Sequence, residues 1–344
     1  MTDLVKELSL LNGVSGREKP VRQYLMEHLP SDVTYFVDAL GNLICHKEGT
    51  DGNGKNKLML CAHMDEVGLI ITYITDEGYL KFDAVGGIDP AILIGRRVKL
   101  ESGLTGVISL KHIHLCSKEE QQKIPEMQDL QIDIGAHSKE EAAAFVELGS
   151  YACFASSFLS FGDQDHYWKG KALDDRVGCA ILLELLQQKQ QYSFDAVFSV
   201  QEEVGSRGAG SAAFRLQPDV ALILETTTAG DLPDVENEKR ACLLGSGPVV
   251  PFMDRGTVYD SGLYKCAFQV AEAEGIPCQT KTVIAGGNDS SSVQAAGAGA
   301  RVLALSVPTR YLHSPVCVMD QRDVQATAAL VNALLPVVQM IDNL

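Results

Sequence analysis

Apolar positions along the chain repeat with two different periods. Residues 3–12 carry Leu4, Leu8 and Leu11 at helical spacing, with Gly13 as a stop. Ser15 followed three residues later by Glu18 reads as a capping box that opens a second helix running to about Leu29. VTYFVDALGNLICHKEG (33–49) reads as a hairpin turning at Gly41-Asn42. KLMLCA (57–62) is short and apolar throughout, as a buried strand should be, and His63 follows it. From 67 to 166 the texture changes. GLIITYITDEGYLKFDAVGG and RRVKLESGLTGVISL are short, glycine-punctuated and β-rich, with a helical stretch beginning at Ser138 and a polar loop over 115–128. After Gly170 strands and helices alternate. A helix is expected over Asp175–Lys189, strands over Ala196–Val200 and Val220–Leu224, a helix over Leu263–Glu274, a strand over Val302–Val307 and a closing helix over Val324–Ile341. Such alternation predicts an α/β fold, a mainly parallel sheet flanked by helices. The segments 1–66 and 167–344 form that fold, and 67–166 is an inserted small β-rich domain.

Composition narrows the function classes. The 344 residues are 46% hydrophobic and 22% charged, with a formal net charge of −16. Phosphate backbones are bound by clustered Lys and Arg, so nucleic acid is not an expected partner. No apolar stretch of about 20 residues occurs, so no membrane span is expected. The opening MTDLVKELSLLNG has charges where a signal peptide needs an apolar core, which points to the cytoplasm. Nine cysteines are scattered singly with no CxxC pair, so neither a disulfide framework nor a thiolate zinc site is expected.

Candidate chemistry lies at the ends of the predicted strands. KLMLCA leads to His63 and Asp65, AVFSV to Glu202 and Glu203, VALIL to Glu225, and VLALSV through a short loop to His313. Sites in open α/β sheets form at the carboxyl ends of strands, so these residues are expected on one edge. Between them GKALDDRVG places Asp174 and Asp175 at a helix start, where one is a natural N-cap. Two imidazoles and three carboxylates, all N and O donors, suit a catalytic centre of two divalent ions, zinc or cobalt first and manganese compatible. Two such ions carry +4. Asp174, Glu203 and Glu225 supply −3, and a bound hydroxide nucleophile supplies the rest. One carboxylate must bridge the ions. Of the adjacent glutamates, one can bind metal while the other faces the water as a base. The glycine-rich AGGND (285–289) lacks a following GKS or GKT, so it reads as a site-lining loop and not as a phosphate cradle.

Five stretches together resemble metallopeptidase family 42, the tetrahedral aminopeptidases often named glutamyl aminopeptidases. They are AHMDEVG (62–68), GKALDDRVG (170–178), QEEVGSRGA (201–209), AGGNDSSS (285–292) and RYLHSP (310–315), in the family's order across nearly the whole chain. The resemblance implies a zinc-exopeptidase type of fold whose inserted domain serves in oligomerisation. It implies one metal held by His63 and Glu225, a second by Glu203 and His313, and Asp174 as the bridge. Glu202 would be the general base, Asp65 would orient His63, and Gly287, Asn288 and Asp289 would contact substrate. The implied reaction removes the N-terminal residue of short peptides, in a homo-oligomer that in the family commonly has twelve subunits arranged as a hollow tetrahedron. The chain departs from the family's habit in four places: Glu225 replaces an Asp, GGNDS replaces GGTDA, Thr226 follows where a His is usual, and GSGP (245–248) replaces GKGP.

Four other readings compete. A glycosidase would need two carboxyls about 5–9.5 Å apart across a sugar bond and would leave five metal-type ligands without a role. A carboxypeptidase or an N-acyl amino acid deacylase could use a similar two-metal centre, and differs in not requiring a free α-amine. A non-catalytic scaffold would have no need of Glu202.

Overall fold

The computed structural model describes residues 1–341 except 112, 116 and 119–121. Three strands precede the β-rich stretch: β1 (Val33–Val37), β2 (Leu43–Lys47) and β3 (Leu58–His63). Within it lie β4 (Gly68–Ile74), β5 (Leu80–Val85), β6 (Arg97–Leu100), β7 (Thr105–Ser109), β8 (Gln131–Asp133) and β9 (Tyr151–Phe154). β10 (Leu159–Phe161) falls at the end of that stretch but belongs to the large sheet, and after it come β11 (Tyr167–Gly170), β12 (Phe194–Ser199), β13 (Val220–Thr228), β14 (Val249–Pro251), β15 (Gln279–Lys281), β16 (Arg301–Arg310) and β17 (Cys317–Asp320).

The large sheet runs β1-β2-β12-β3-β13-β16-β17-β11-β10, with β14 and β15 attached beside β16. Its central block, β12, β3, β13 and β16, is parallel throughout. The outer strands are antiparallel, so the sheet is mixed, not mainly parallel as expected. The reason is chain connectivity. β1 and β2 form the predicted hairpin, and a short connection can only join antiparallel neighbours. The parallel block still brings four carboxyl ends to one edge, which is what the site requires. Every residue of β3 is buried, as a strand covered on both faces must be. The helix Leu173–Gln187 lies on β3 and β13 with Thr2–Leu10 beside it, while Arg207–Leu216 lies on β12 with Ser290–Gln294 beside it.

The strands β4-β5-β8-β7-β6-β9 close into a barrel. Its separate core includes Leu69, Ile71, Leu80, Phe82, Val98, Leu100 and Ile132. β10 and β11 rejoin the large sheet through β17. In the 115–128 loop Leu115 and Ile124 are exposed, while Cys116 and 119–121 lie outside the described residues. All eight described cysteines are free thiols, and seven of them are buried. No helix among the described residues is long and apolar enough to cross a membrane.

A buried ionic cluster fixes the loop after β3. Lys171 Nζ donates to both Glu66 oxygens at 2.6 and 2.8 Å, and Arg176 donates to the carbonyls of Met64 (2.8 Å) and Leu8 (2.6 Å). Buried charges are tolerated when each is paired and hydrogen-bonded. The cluster ties the N-terminal helix, the strand-end loop and the start of Leu173–Gln187 together. The predicted capping box does not form. Glu18 occupies the N-cap position, but its side chain makes no bond to the helix it precedes. The Ser15 hydroxyl instead donates to Asp65 Oδ2 at 2.6 Å.

Candidate metal centre

Two groups of side chains converge beyond the central strands. In one, His63 Nε2 lies 3.3 Å from Asp174 Oδ1 and 3.7 Å from Glu225 Oε1. In the other, His313 Nε2 lies 3.4 Å from Asp174 Oδ2 and 3.3 Å from Glu203 Oε2. Within each group one potential ligand atom per residue falls within 4.8 Å of the others. Asp174 belongs to both and turns one oxygen to each. Glu202 belongs to neither, and the hydrogen bond its carboxylate accepts is a long one, 3.5 Å, from the Ser206 hydroxyl.

Each group is held from behind. His63 ends β3, and its Nδ1 faces the Asp65 carbonyl at 3.2 Å and the Asp65 carboxylate at 3.4 Å. The fully buried Asp65 carboxylate also accepts the backbone N–H groups of Glu202 and Glu203. His313 Nδ1 faces the carbonyl of Gly87, so a loop from the barrel segment orients that ring at 2.8 Å. Glu225 lies within β13, three residues from its end. The strand runs past the expected Leu224 because Thr226, Thr227 and Thr228 pair with Val307, Pro308 and Thr309 of β16. β-Branched residues fit such a ladder well.

Asp174 and Asp175 divide the roles left open between them. Asp175 Oδ1 accepts the Gly178 N–H at 3.0 Å, which satisfies a first-turn amide, and Oδ2 accepts the His63 N–H. Asp174 is thereby left to face the two imidazoles. Their peptide bond is cis.

The arrangement has relatives. Residues 41–330 match the family described as M42 glutamyl aminopeptidase. The chain belongs to the M42 peptidases. It is a hydrolase acting on peptide bonds. It is 33% identical over 352 residues to the lysyl aminopeptidase of Pyrococcus furiosus, covering 99% of this chain and 98% of that one. Among solved structures, an aminopeptidase of Desulfurococcus kamchatkensis superposes with a TM-score of 0.91 at 35% identity, covering 97% and 94% of the two chains. The TET1 peptidase of Pyrococcus horikoshii, which can assemble into a tetrahedron or a large octahedral shell, superposes at 0.85 with 36% identity over 97% and 98%.

As an M42 peptidase the chain is expected to use divalent metal, and its donors fit that expectation. The carboxylates are close enough to raise one another. Burial and the Asp174 charge push Glu203 up to about 8 and Glu225 up to about 7. Burial and Glu225 hold Asp175 well above the usual carboxylate range. For the imidazoles burial acts downward, but the facing carboxylates outweigh it. Asp174 and Glu203 hold His313 at about 9, and Glu225, Asp174 and Asp65 hold His63 well above its ordinary value. Burial would raise Asp174, yet His313 and His63 hold it well below. A cation set among these groups replaces the protons they otherwise retain.

Five of these groups, Glu203, Glu225, Asp175, His63 and His313, keep protons in the folded protein that the unfolded chain releases near pH 3.9 (Asp), 4.3 (Glu) or 6.5 (His). Stability of the metal-stripped protein therefore falls as pH rises from about 5 to about 9. Asp174 acts in the opposite sense, but only below its ordinary value. Thermal unfolding of stripped protein across this window should show a falling Tm, with the stabilisation from added metal growing as pH rises. A Tm that climbs through the window contradicts this charge arrangement.

Next to Glu225 is a cavity of about 120 Å³ lined by Thr226, Thr227, Thr228, Lys281, Gly287 and Asn288, among others. The Asn288 amide is engaged with the Tyr259 hydroxyl and the Ser290 N–H. Asp289 lies behind this lining, accepting from Ser199 at 2.6 Å. Sequence reasoning overlooked Gly87 and the true partners of Ser15 and Glu18. The Gly86-Gly87 pair after β5 was the only sign that backbone might approach a side chain there.

Proposed function

We propose that the protein is a two-metal aminopeptidase that releases N-terminal residues from short peptides. His63 and Glu225 hold one ion, His313 and Glu203 hold the second, and Asp174 bridges them. The position of Asp174, one oxygen toward each imidazole, carries this reading. The N and O donors suit zinc or cobalt, and manganese after them. A pair of divalent ions there would polarise the scissile carbonyl and lower the pKa of a water.

The chain's own groups do the rest. Glu202, outside both ligand groups, takes the proton of the attacking water and delivers it to the leaving amine. Burial, with Glu225 and Asp289 nearby, holds its carboxyl well above the usual range, which suits a group that must both accept and return a proton. Asp65 fixes the His63 ring from its Nδ1 side. The cavity beside Glu225 receives the first side chain, with Gly287 and Asn288 in its wall and Asp289 bracing the loop from below. Names of relatives do not supply its preference, because a lysyl relative and a glutamyl family description point to opposite charges. The tetrahedral or octahedral assembly of the Pyrococcus horikoshii relative, and the dodecamer in the solved structure of PhTET1-12s, support a homo-oligomer here, a dodecamer among the forms, with the 67–166 insert as its contact module.

The test is a panel of short peptides offered with free and with acetylated N-termini. Metal-loaded protein should remove the first residue from the free forms and leave the acetylated forms intact. Release of acetate, or trimming of acetylated peptides from the C-terminus, would replace this reading with a deacylase or a carboxypeptidase.

A further inference from the structure

Three consecutive backbone amides precede the helix Arg207–Leu216, and each donates to a carboxylate from elsewhere in the chain. Gln201 N donates to Glu18 Oε1 at 3.2 Å, Glu202 N to Asp65 Oδ1 at 3.0 Å and Glu203 N to Asp65 Oδ2 at 3.1 Å. Gln201 has a φ of 58°, a left-handed backbone that a side-chain-bearing residue adopts only when its surroundings impose it. Glu18 is buried, and the same Oε1 accepts the Gly16 N–H at 2.7 Å. A residue serving as a helix cap would spend that oxygen on its own helix, and Glu18 does not. The segment that carries it is splinted to the loop after β3. Val14 pairs with Glu66 in a parallel bridge, and Glu66 N donates to Gly13 O at 3.0 Å.

We infer that Glu18 is a positioning residue for the proton transfer: by holding the Gln201 amide it fixes the direction in which the next side chain, Glu202, points. The inference rests on the assignment of Glu202 as base in the proposed function. An amide bonded to a carboxylate is held by a charge-assisted bond, stronger than one to a neutral acceptor. Without it the Val200–Gln201 peptide is free to turn about the Gln201 φ and shift the course of Glu202 beyond it, and a base displaced by about 1 Å costs up to about 100-fold in rate.

Three variants of the metal-loaded protein test this. Glu18→Ala should lower kcat by up to about 100-fold with KM and bound metal unchanged. Glu18→Gln keeps an acceptor oxygen at the same reach and should restore most of kcat. Glu18→Asp, which withdraws the oxygen by one methylene while keeping the charge, should fall between them and serves if the alanine variant does not fold. Backbone hydrogen exchange of the segment 201–203 gives a readout independent of turnover. It should quicken in Glu18→Ala and return most of the way toward the wild-type rate in Glu18→Gln, whose neutral oxygen is the weaker acceptor. An alanine variant with wild-type kcat, a loss matched by lost metal, a glutamine variant as slow as alanine, or unchanged exchange would each overturn the inference. If wild-type protein hydrolyses no peptide, the assignment of Glu202 has failed, and the exchange comparison still decides whether Glu18 holds the loop.

Discussion

Glu202→Gln is expected to lower turnover by about 10²–10⁴-fold while metal binding stays at the wild-type level. The two adjacent glutamates differ in what they face. Glu203 sits 3.3 Å from His313 Nε2 and in one ligand group with Asp174, whereas the Glu202 carboxylate is outside both groups. Replacing its carboxylate by an amide preserves shape and removes the proton acceptor. Its backbone N–H still reaches Asp65, so the loop should keep its course. Metal content by elemental analysis should match wild type, and the loss should fall on kcat more than on KM. Near-normal turnover would remove Glu202 from the proton path. Loss of metal would mean that Glu202 is a ligand.

Asp174→Ala is expected to release both ions and with them all activity. Asp174 is the one residue common to the two groups. Truncating it leaves His63 with Glu225 on one side and His313 with Glu203 on the other, each a two-residue site. It also withdraws the carboxylate that both imidazoles face. A Glu225→Ala comparison sharpens the point, because that change touches only the His63 side. The alanine variant at 174 should therefore lose more metal than the one at 225. Two ions per chain in Asp174→Ala would refute bridging outright.

Much of this centre is visible in the sequence for a physical reason. A buried strand is a continuous apolar run, and a polar residue that abruptly ends it marks the carboxyl end of the strand. His63 after KLMLCA and the Glu202-Glu203 pair after AVFSV stand out in this way. Because β12, β3, β13 and β16 are parallel neighbours, their four carboxyl ends meet on one edge, although Glu225 stands three residues inside the end of β13. What stays hidden depends on pairing between distant segments. Ser15 and Glu18 have the spacing of a capping box, and local spacing cannot distinguish a residue that bonds its own helix from one that reaches Asp65 or Gln201. Asp174 and Asp175 are chemically identical in sequence. Only the approach of Gly178 and the His63 amide to Asp175 separates the side chain that bonds the helix start from the one that faces the imidazoles. Of the antiparallel flanks only the β1–β2 hairpin is legible, from its turn, because a strand signal by itself carries no direction, and the carbonyl of Gly87 on His313 joins residues 226 positions apart.

The central claim is a pair of metal ions held side by side by this one chain, on which peptide hydrolysis depends. The most direct measurement strips the protein of metal and titrates zinc or cobalt back while release of the N-terminal residue from a short peptide is followed. The account predicts no turnover in the stripped protein and a rate that climbs until two ions are bound per chain. Full turnover without metal, or a rate that saturates with only one ion bound per chain, would contradict it.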